Sequence, residues 1–194
     1  MVTRLSPVPM SSPAPIAGAL WIPLRNRRGE VVAYTLIDEQ DAHLARLTWR
    51  MQGHRYAVRS QNGQTLLMHR VILNAPPAVE VDHINRNGLD NRRTNLRLAT
   101  RAENTRNAKL SRRNTSGFRG VSFDHFSGRW LATVRSDRKT YRLGAFATAE
   151  EAAIAYDFAA AALHGEFAST NFSLSAATRG CLSEFRAFLL AAYG

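Results

Sequence analysis

The sequence VDHINRNGLDNRRTNLRLATRAENTRN, Val81 to Asn107, decides the fold of the first half of the chain. The turn Asn85–Gly88 contains residues that tolerate positive φ, so the chain can reverse after a short strand. Alternating residues in Leu96–Leu98 predict a second strand. Thr100 then fits as a helix N-cap with Glu103 at the third helical position, a capping box. The stretch therefore predicts strand, turn, strand and helix.

Three side chains in this stretch have the chemistry of a metal-dependent hydrolytic site. His83 titrates near neutral pH, so it can accept a proton from water if a neighbouring group orients its ring. Asp82 and Asn104 offer oxygen ligands, which suit Mg²⁺ or Mn²⁺ better than Zn²⁺. Because adjacent residues of a regular strand point to opposite faces, Asp82 and His83 can share a site only where the strand ends or twists.

The spacing of these residues resembles a known family. Asp82-His83, Asn95 twelve residues after His83, and Asn104 nine residues further on are similar to the HNH endonucleases of phage homing type, whose core is a ββα-metal motif. The match covers roughly His69 to Asn107. It implies His83 as general base, Asp82 and Asn104 as ligands of Mg²⁺ or Mn²⁺, and Asn95 as the residue that holds the loop. The last position of the family is often His, and Asn104 in its place favours an alkaline-earth type ion.

Two other interpretations stay open at this point. A lone Asp-His pair is usually part of a surface loop, and Asn residues are ordinary turn formers. The chain could therefore be a DNA-binding regulator whose nuclease remnant no longer cuts. It could also be a structural, nucleoid-type protein that binds DNA by charge alone.

The composition indicates a polyanionic partner. The 194 residues have 26 Lys plus Arg against 15 Asp plus Glu, a net charge of +11 and a pI near 11.1, which points to a polyanion as partner. Together with the resemblance to DNA endonucleases, this makes double-stranded DNA the expected partner. Cys181 is the only cysteine, which excludes an internal disulfide or a CxxC zinc site, and we expect it to be buried. No apolar run is long enough to span a membrane, and the single cysteine suits a reducing cytoplasm. The resemblance to phage endonucleases implies a bacterial or phage-infected cell, and a monomer is the expected oligomeric state.

Basic residues are concentrated around the predicted site. Between Arg86 and Arg119 ten basic residues stand against two acidic ones, a net of 10 − 2, or +8. A charge run is usually only a solvated face, but this one includes the linker KLSRRNTSG and favours a segment along a phosphate backbone. The side chains with a possible phosphate contact are His69, Arg70, Arg92, Arg93 and Arg97, although a structural, hydrogen-bonded role for His69 is the stronger alternative.

The second half of the chain predicts a three-stranded sheet and a helix. FRGVSFD, RWLATVR and TYRLGAF have the character of strands. Thr148 is placed to cap the following helix, and Gly165 to end it. If Trp130, Ala132 and Val134 pack on that helix, the alternating residues face outward. Such a sheet face fits the DNA major groove.

This half resembles the Apetala and ethylene-response-factor type of DNA-binding domain. The resemblance rests on RGV, the Trp and Arg of RWLATVR, RLGAF, EEAAIAYDFAA and the closing Asn171-Phe172. It implies DNA contact through Arg119, Ser122, Thr133, Arg135, Thr140 and Arg142. Plant members have Arg, Glu and Trp at several of these positions, so their target sequence does not carry over. The alternative for Arg135 and Arg142 is ordinary edge-strand solubility.

Taken together, the sequence predicts an α+β protein: a ββα-metal nuclease module, and a three-stranded antiparallel sheet packed on one helix. The expected segments are a disordered leader (1–18), a β-rich brace (19–68), the nuclease core (69–108), a basic linker (109–116), the DNA-binding domain (117–172) and a C-terminal helix (173–194). The expected activity is site-selecting hydrolysis of DNA phosphodiester bonds.

Overall fold

The computed structural model describes residues 11–53, 55–175 and 180–193. The chain forms two compact units, residues 1–101 and 102–194. Residues 1–10 of the predicted leader, and residues 176–179 and 194 of the predicted C-terminal segment, lie outside the described residues. Helices and antiparallel sheets are both present, so the predicted α+β class is confirmed.

The first unit contains three small antiparallel sheets. They are formed by β1 (Ala19–Arg25) with β2 (Val31–Asp38), by β3 (Arg50–Gln52), β4 (Tyr56–Gln61) and β5 (Gln64–Leu67), and by β6 (Glu80–His83) with β7 (Leu96–Ala99). Helix α1 (Met68–Ile72) follows β5, and 3-10 helices span Glu39–Arg46 and Arg93–Asn95. Helix α2 (Arg101–Arg106) follows β7, as predicted, and its first residue is the last residue of this unit.

The local signals of the first unit gave one correct and one wrong prediction. The Asn-Gly pair at positions 62 and 63 predicts a hairpin turn. Asn62 and Gly63 both have positive φ, 49° and 76°, and join β4 to β5 as such a turn. The apolar run TLLMHRVIL, residues 65–73, predicts a strand, which is wrong after Leu67, because Met68–Ile72 is helical. Met68 and Ile72 are both buried, and this i, i+4 spacing belongs to a helix face.

The core of the first unit joins the N-terminal sheets to β6 and β7. It includes Leu24, Trp49, Ala57, Val81 and Leu96. An isolated Trp such as Trp49 is expected to be a plain core residue. It is fully buried, and its indole N–H donates to the Leu44 carbonyl. Because β6 and β7 have four residues each, their stability depends on this packing against the N-terminal sheets.

The loop between β6 and β7 is attached to β2 by backbone hydrogen bonds. The Leu36 N–H donates to the Leu89 carbonyl at 2.8 Å, and the Asn91 N–H donates to the Leu36 carbonyl at 2.7 Å. Leu36 and Asp90 form a parallel bridge. The segment 89–91 therefore lies beside β2 like a short additional strand, which fixes the loop that follows His83.

In the second unit, β8 (Val121–Asp124), β9 (Arg129–Ser136) and β10 (Lys139–Phe146) form the predicted sheet in the order β10-β9-β8. Helix α3 (Ala149–His164) packs against all three strands. The predicted cap is confirmed: the Glu151 N–H donates to Thr148 Oγ1, and the Glu151 carboxylate accepts from the Thr148 N–H. Gly165 follows with φ +55°.

The sheet of the second unit has the expected phase. Ala132 and Val134 are buried against α3, whereas Arg135 is exposed. Gly120 has φ +73°, and an added Cβ would overlap the Tyr156 ring of α3. A side chain here would therefore push the start of β8 away from the helix.

The end of the chain differs from the prediction in two respects. Helix α4 spans Leu182–Tyr193, whereas residues 173–175 of the predicted C-terminal helix are not helical. Leu189 packs into the core with Val134 and Tyr141. Cys181 is exposed, which makes the prediction of a buried thiol wrong, because the residue precedes the first turn of α4.

Candidate functional site

Asp82 and His83 are the last two residues of β6. They pair with Arg97 and Leu96 of β7, and both are buried, at 3% and 6% exposure. The strand ends at His83, so the residues after it no longer have to point alternately to the two faces of the sheet. The two residues are thus adjacent in the chain just before the loop 84–95, and the charge of the Asp82 carboxylate acts on the imidazole of His83.

Polar and aromatic contacts hold the ring of His83. Its Nε2 lies 3.2 Å from Asn91 Oδ1. The His69 ring meets it edge-on at 5.0 Å between centroids and 86° between planes, and the Tyr56 ring lies at 5.9 Å. Burial lowers the pKa of His83, an effect that the Asn91 hydrogen bond and the charges of Asp82 and Asp90 partly offset. The imidazole is therefore neutral at pH 7, the form that can accept a proton.

His69 is neutral as well. Burial, followed by the effects of His83 and Arg70, lowers its pKa to about 3. Among the described residues its Nδ1 has no hydrogen-bond partner, and its ring also packs on Tyr56, 5.3 Å away. With 6% exposure, His69 presents little surface to a phosphate, and the contacts support the alternative of a structural residue beside His83.

The loop after His83 is held by asparagine side chains. Asn95 Nδ2 donates to the Asp90 carbonyl at 2.7 Å, and its Oδ1 accepts from the Asn85 N–H at 2.9 Å. One side chain thus connects both ends of the loop. Gly88 lies against β4, where an added Cβ would overlap the Arg55 carbonyl and come within 2.8 Å of the Tyr56 ring.

The proposed metal ligands must be considered one at a time. Asp82 Oδ2 accepts from Arg97 Nε at 2.8 Å and from Arg97 Nη2 at 2.7 Å, so an ion bound to this carboxylate would share it with Arg97. Asn104 is half-buried on α2, in the part of that helix that belongs to the second unit. The described residues contain no cluster of three or more His, Cys, Asp or Glu side chains that could hold a metal ion.

By its chemistry, each of these two side chains suits Mg²⁺ or Mn²⁺. These ions commonly bind one or two protein carboxylates and complete their shell with water and substrate phosphate oxygens. A carboxylate oxygen and an amide oxygen are donors of this kind. Neither is the nitrogen or sulfur ligand that zinc prefers.

The arginines with predicted phosphate contacts already have protein partners. Arg92 pairs with Asp90 and Arg93 with Asp41, each at 2.8 Å. The Arg70 guanidinium donates to the carbonyls of Ala75, Pro76 and Val79 and so holds the loop that follows α1 in place. The side chains of Arg92 and Arg93 are 35% and 41% exposed, which leaves room for a phosphate beside the carboxylate.

The predicted DNA-binding residues of the second unit lie on or beside the outer face of its sheet. Arg135 pairs across the strands with Thr140, and Thr133 with Arg142. Ser122, Arg135, Thr140 and Arg142 are exposed, and Thr133 is half-buried. Arg119, before β8, is also half-buried, and its Nη2 donates to the Ala108 carbonyl at 2.6 Å. Arg129 has the same alternation along β9 as Thr133 and Arg135, and it is also exposed.

Comparisons with known proteins agree with both halves of this description. A family model described as HNH endonuclease matches residues 67–106, and one described as AP2 domain matches residues 116–166. The "Uncharacterized HNH endonuclease L560" of Acanthamoeba polyphaga mimivirus is 30% identical over 162 residues, which are 80% of this chain and 83% of that protein. The chain belongs to the HNH endonuclease family.

Other relatives of this HNH endonuclease match one part of it. Protein 3.8 of Escherichia phage T7 is 36% identical over 93 residues, 48% of this chain and 76% of that protein. The AP2-like ethylene-responsive transcription factor At1g16060 of Arabidopsis thaliana is 48% identical over 65 residues, but these are 32% of this chain and 19% of the plant protein. The second unit thus contains the whole AP2 match, and it also includes residues 102–106, the end of the HNH match. In the part of the chain that the structure describes, no helix is long and apolar enough to cross a membrane.

Four residues near the candidate sites were missed from the sequence. Tyr56, Thr35 and Asn91 surround or support His83, but Thr35 lies 56 residues before Asn91, and no local pattern connects them. Asn91 was seen only as part of an Asn-rich turn. Arg129 could have been found, because it shares the alternation of Thr133 and Arg135.

Proposed function

We propose that this HNH endonuclease hydrolyses DNA phosphodiester bonds with one divalent metal ion and His83 as general base, at sites held by its AP2 domain. The observation that supports this most is the state of His83. The ring is buried, neutral at pH 7 and fixed by Asn91 and His69, next to a carboxylate. A positioned neutral imidazole is what proton removal from an attacking water requires.

Asp82 and Asn104 are the proposed ligands, with Mg²⁺ or Mn²⁺ as the ion. When bound, the ion polarises the scissile phosphate and stabilises the leaving 3′ oxygen. Arg97 keeps the Asp82 carboxylate in place through its two hydrogen bonds to Oδ2. Asn95 keeps the loop closed and takes no part in the chemistry.

The AP2 domain is proposed to hold the duplex by the outer face of its sheet. Arg119, Ser122, Thr133, Arg135, Thr140 and Arg142 are the proposed contacts, and the width of such a sheet suits the major groove. Arginine can contact either a phosphate or a guanine edge with two hydrogen bonds. Arg70, Arg92, Arg93 and Arg97 are proposed to lie near the backbone of the cut strand. With DNA as substrate and a phage protein among its relatives, the proposed place of action is a bacterial or phage-infected cytoplasm.

A DNA-binding regulator that no longer cuts is the second candidate, because the Arg97 pair occupies part of the carboxylate that must bind the ion. Supercoiled plasmid separates the two. With Mg²⁺ or Mn²⁺ we expect the parent to nick the plasmid, and His83→Ala and Asp82→Asn to bind DNA with parental affinity but not to nick it. A parent that binds without cutting under either ion would establish the regulator. Nicking by His83→Ala would remove His83 from the mechanism.

A further inference from the structure

A chain of buried hydrogen bonds leads from β2 to His83. The Thr35 hydroxyl donates to the Leu89 carbonyl at 2.8 Å. Asn91 Nδ2 donates to Thr35 Oγ1 at 2.7 Å, and Asn91 Oδ1 lies 3.2 Å from His83 Nε2. Thr35 and Asn91 both have 0% exposure, so water does not compete for these groups. All members of the chain belong to the first unit, and Thr35 lies outside the residues that the HNH model matches.

The direction of each bond in this chain is determined by its acceptor. A carbonyl oxygen only accepts, so the Thr35 hydroxyl gives its proton to Leu89. Thr35 Oγ1 is then an acceptor toward Asn91, which orients the Asn91 amide with its nitrogen toward Thr35. The Asn91 oxygen is thereby turned toward His83, and it too can only accept. Nε2 of His83 must therefore hold the proton of the neutral ring.

The attachment of the loop to β2 explains why this chain can form. The two backbone hydrogen bonds that join Leu36 to Leu89 and Asn91 bring the Asn91 side chain next to Thr35. Neighbouring hydrogen bonds in a buried network strengthen one another. The rings of His69 and Tyr56 contact the ring of His83, so the proton and the ring orientation are set by different groups.

We infer that Thr35, acting through Asn91, is a positioning residue that fixes the proton of neutral His83 on Nε2 and so makes Nδ1 the nitrogen that accepts the proton from water. This inference rests on the proposed function and deepens it. It makes a residue of the N-terminal sheet part of the catalytic arrangement. It also predicts that a single hydroxyl, remote from the substrate, affects the rate of cutting.

The tautomer can be observed directly by NMR of the full chain labelled with ¹⁵N. Six histidines are present, and the signals of His83 are identified by their loss in His83→Ala. Spectra recorded without metal, above pH 7, should show Nε2 of His83 protonated and Nδ1 unprotonated in the parent. A parent ring protonated on Nδ1 would overturn the inference without any further variant.

Substitution of Thr35 tests the origin of this tautomer. Thr35→Val preserves the shape of the side chain and removes the hydroxyl, so the His83 proton should divide between the two nitrogens. The single-turnover nicking rate at saturating enzyme should fall by about 10- to 100-fold, with DNA affinity unchanged. Thr35→Ser keeps the hydroxyl and should restore both the tautomer and the rate. Thr65→Val, an exposed threonine on β5, is the matched control and should change neither.

The outcomes separate this inference from the proposed function. If His83→Ala cuts like the parent, the proposed function fails. If His83→Ala is inactive but Thr35→Val keeps the parental tautomer and rate, the inference alone fails. If Thr35→Ser is as slow as Thr35→Val, loss of the hydroxyl is not the cause of the slow rate, and the inference fails as well. Thermal melts of the variants show whether each one is folded.

Discussion

Asn95→Ala should destabilise the first unit strongly, because one side chain satisfies two backbone groups of the loop. The substitution removes the 2.7 Å bond to the Asp90 carbonyl and the 2.9 Å bond from the Asn85 N–H. Asp90 is buried, so its carbonyl loses a partner that water does not replace, at about 1–3 kcal/mol. Asn85 is exposed, so its N–H can bind water instead, and the loss of this second bond adds a cost of about 0.5–1.5 kcal/mol. The expected loss in free energy of unfolding is about 1.5–4.5 kcal/mol.

Denaturation followed by tryptophan fluorescence measures this loss. Trp21 and Trp49 report on the first unit and Trp130 on the second, so the measurement is made in a Trp130→Phe background. Asn87→Ala is the matched control. Asn87 is exposed in the same loop, its Oδ1 accepts from the Leu89 N–H at 3.1 Å, and the loss of this one bond should cost about 0.5–1.5 kcal/mol.

Two results would refute this account of Asn95. If Asn95→Ala costs no more stability than Asn87→Ala, the two hydrogen bonds do not hold the loop. If Asn95→Ala stays within about 1 kcal/mol of the parent but no longer nicks plasmid, the side chain takes part in the chemistry. A variant that is less stable, yet nicks at a temperature where it is folded, supports the role of holding the loop.

Three further substitutions test the charges around both sites. Arg97→Gln removes the guanidinium that pairs with the buried Asp82 carboxylate and should cost about 3–5 kcal/mol without metal. Saturating Mn²⁺ should recover more stability in the variant than in the parent, because the ion replaces the lost charge. His69 has a pKa of about 3 when folded and 6.5 when unfolded, so parental stability should fall as the pH decreases from 6.5 to about 3, by up to about 1.4 kcal/mol per pH unit, and less steeply in His69→Phe. Arg135→Ala combined with Arg142→Ala should reduce the slope of log affinity against log salt by about 2.

Each of these predictions has a contrary result. Equal stabilisation of the parent and Arg97→Gln by Mn²⁺ would mean that the ion does not bind at Asp82. A pH dependence that is unchanged in His69→Phe would place the titrating group elsewhere. For the DNA-binding face, Arg186→Ala on α4 is the control, since this arginine is exposed in the same unit. A salt slope that responds equally to Arg186 and to the sheet arginines would indicate charge without a defined surface.

Elements with complete local signals were predicted well from the sequence. Helix α3 begins after Thr148 and ends before Gly165, as these residues indicated, because a helix N-cap and a C-terminal glycine act within a few residues. The sheet of the AP2 domain followed from alternation around Ala132 and Val134. In contrast, residues 68–72 were mistaken for strand, since a short apolar run fits either structure until its packing is known.

The arrangement around His83 could be predicted only in part. Asp82, His83 and Asn95 were identified by their spacing, and the Asn95 contacts bridge nearby residues. The groups that determine the state of His83 come from further away: Thr35 from β2 and Tyr56 from β4. Hydrogen bonds between residues more than 50 positions apart, such as that of Asn91 with Thr35, depend on the tertiary fold and leave no periodic trace in the sequence.

The observed contacts suggest that rate and affinity can be changed separately. Near His83, the arginines at positions 92, 93 and 97 are paired with carboxylates of the first unit, which reduces the charge they offer to a polyanion. Thr35 and Asn91 are buried, so they can alter the reaction only through His83. Substitutions there should change the nicking rate at saturating enzyme and leave the salt slope intact, whereas Arg135 and Arg142 should do the reverse. If substitutions at Thr35 or Asn91 and substitutions at Arg135 or Arg142 each changed both the nicking rate and the salt slope, positioning of the base and DNA binding would not be separable. The proposed separation between HNH motif and AP2 sheet would then fail.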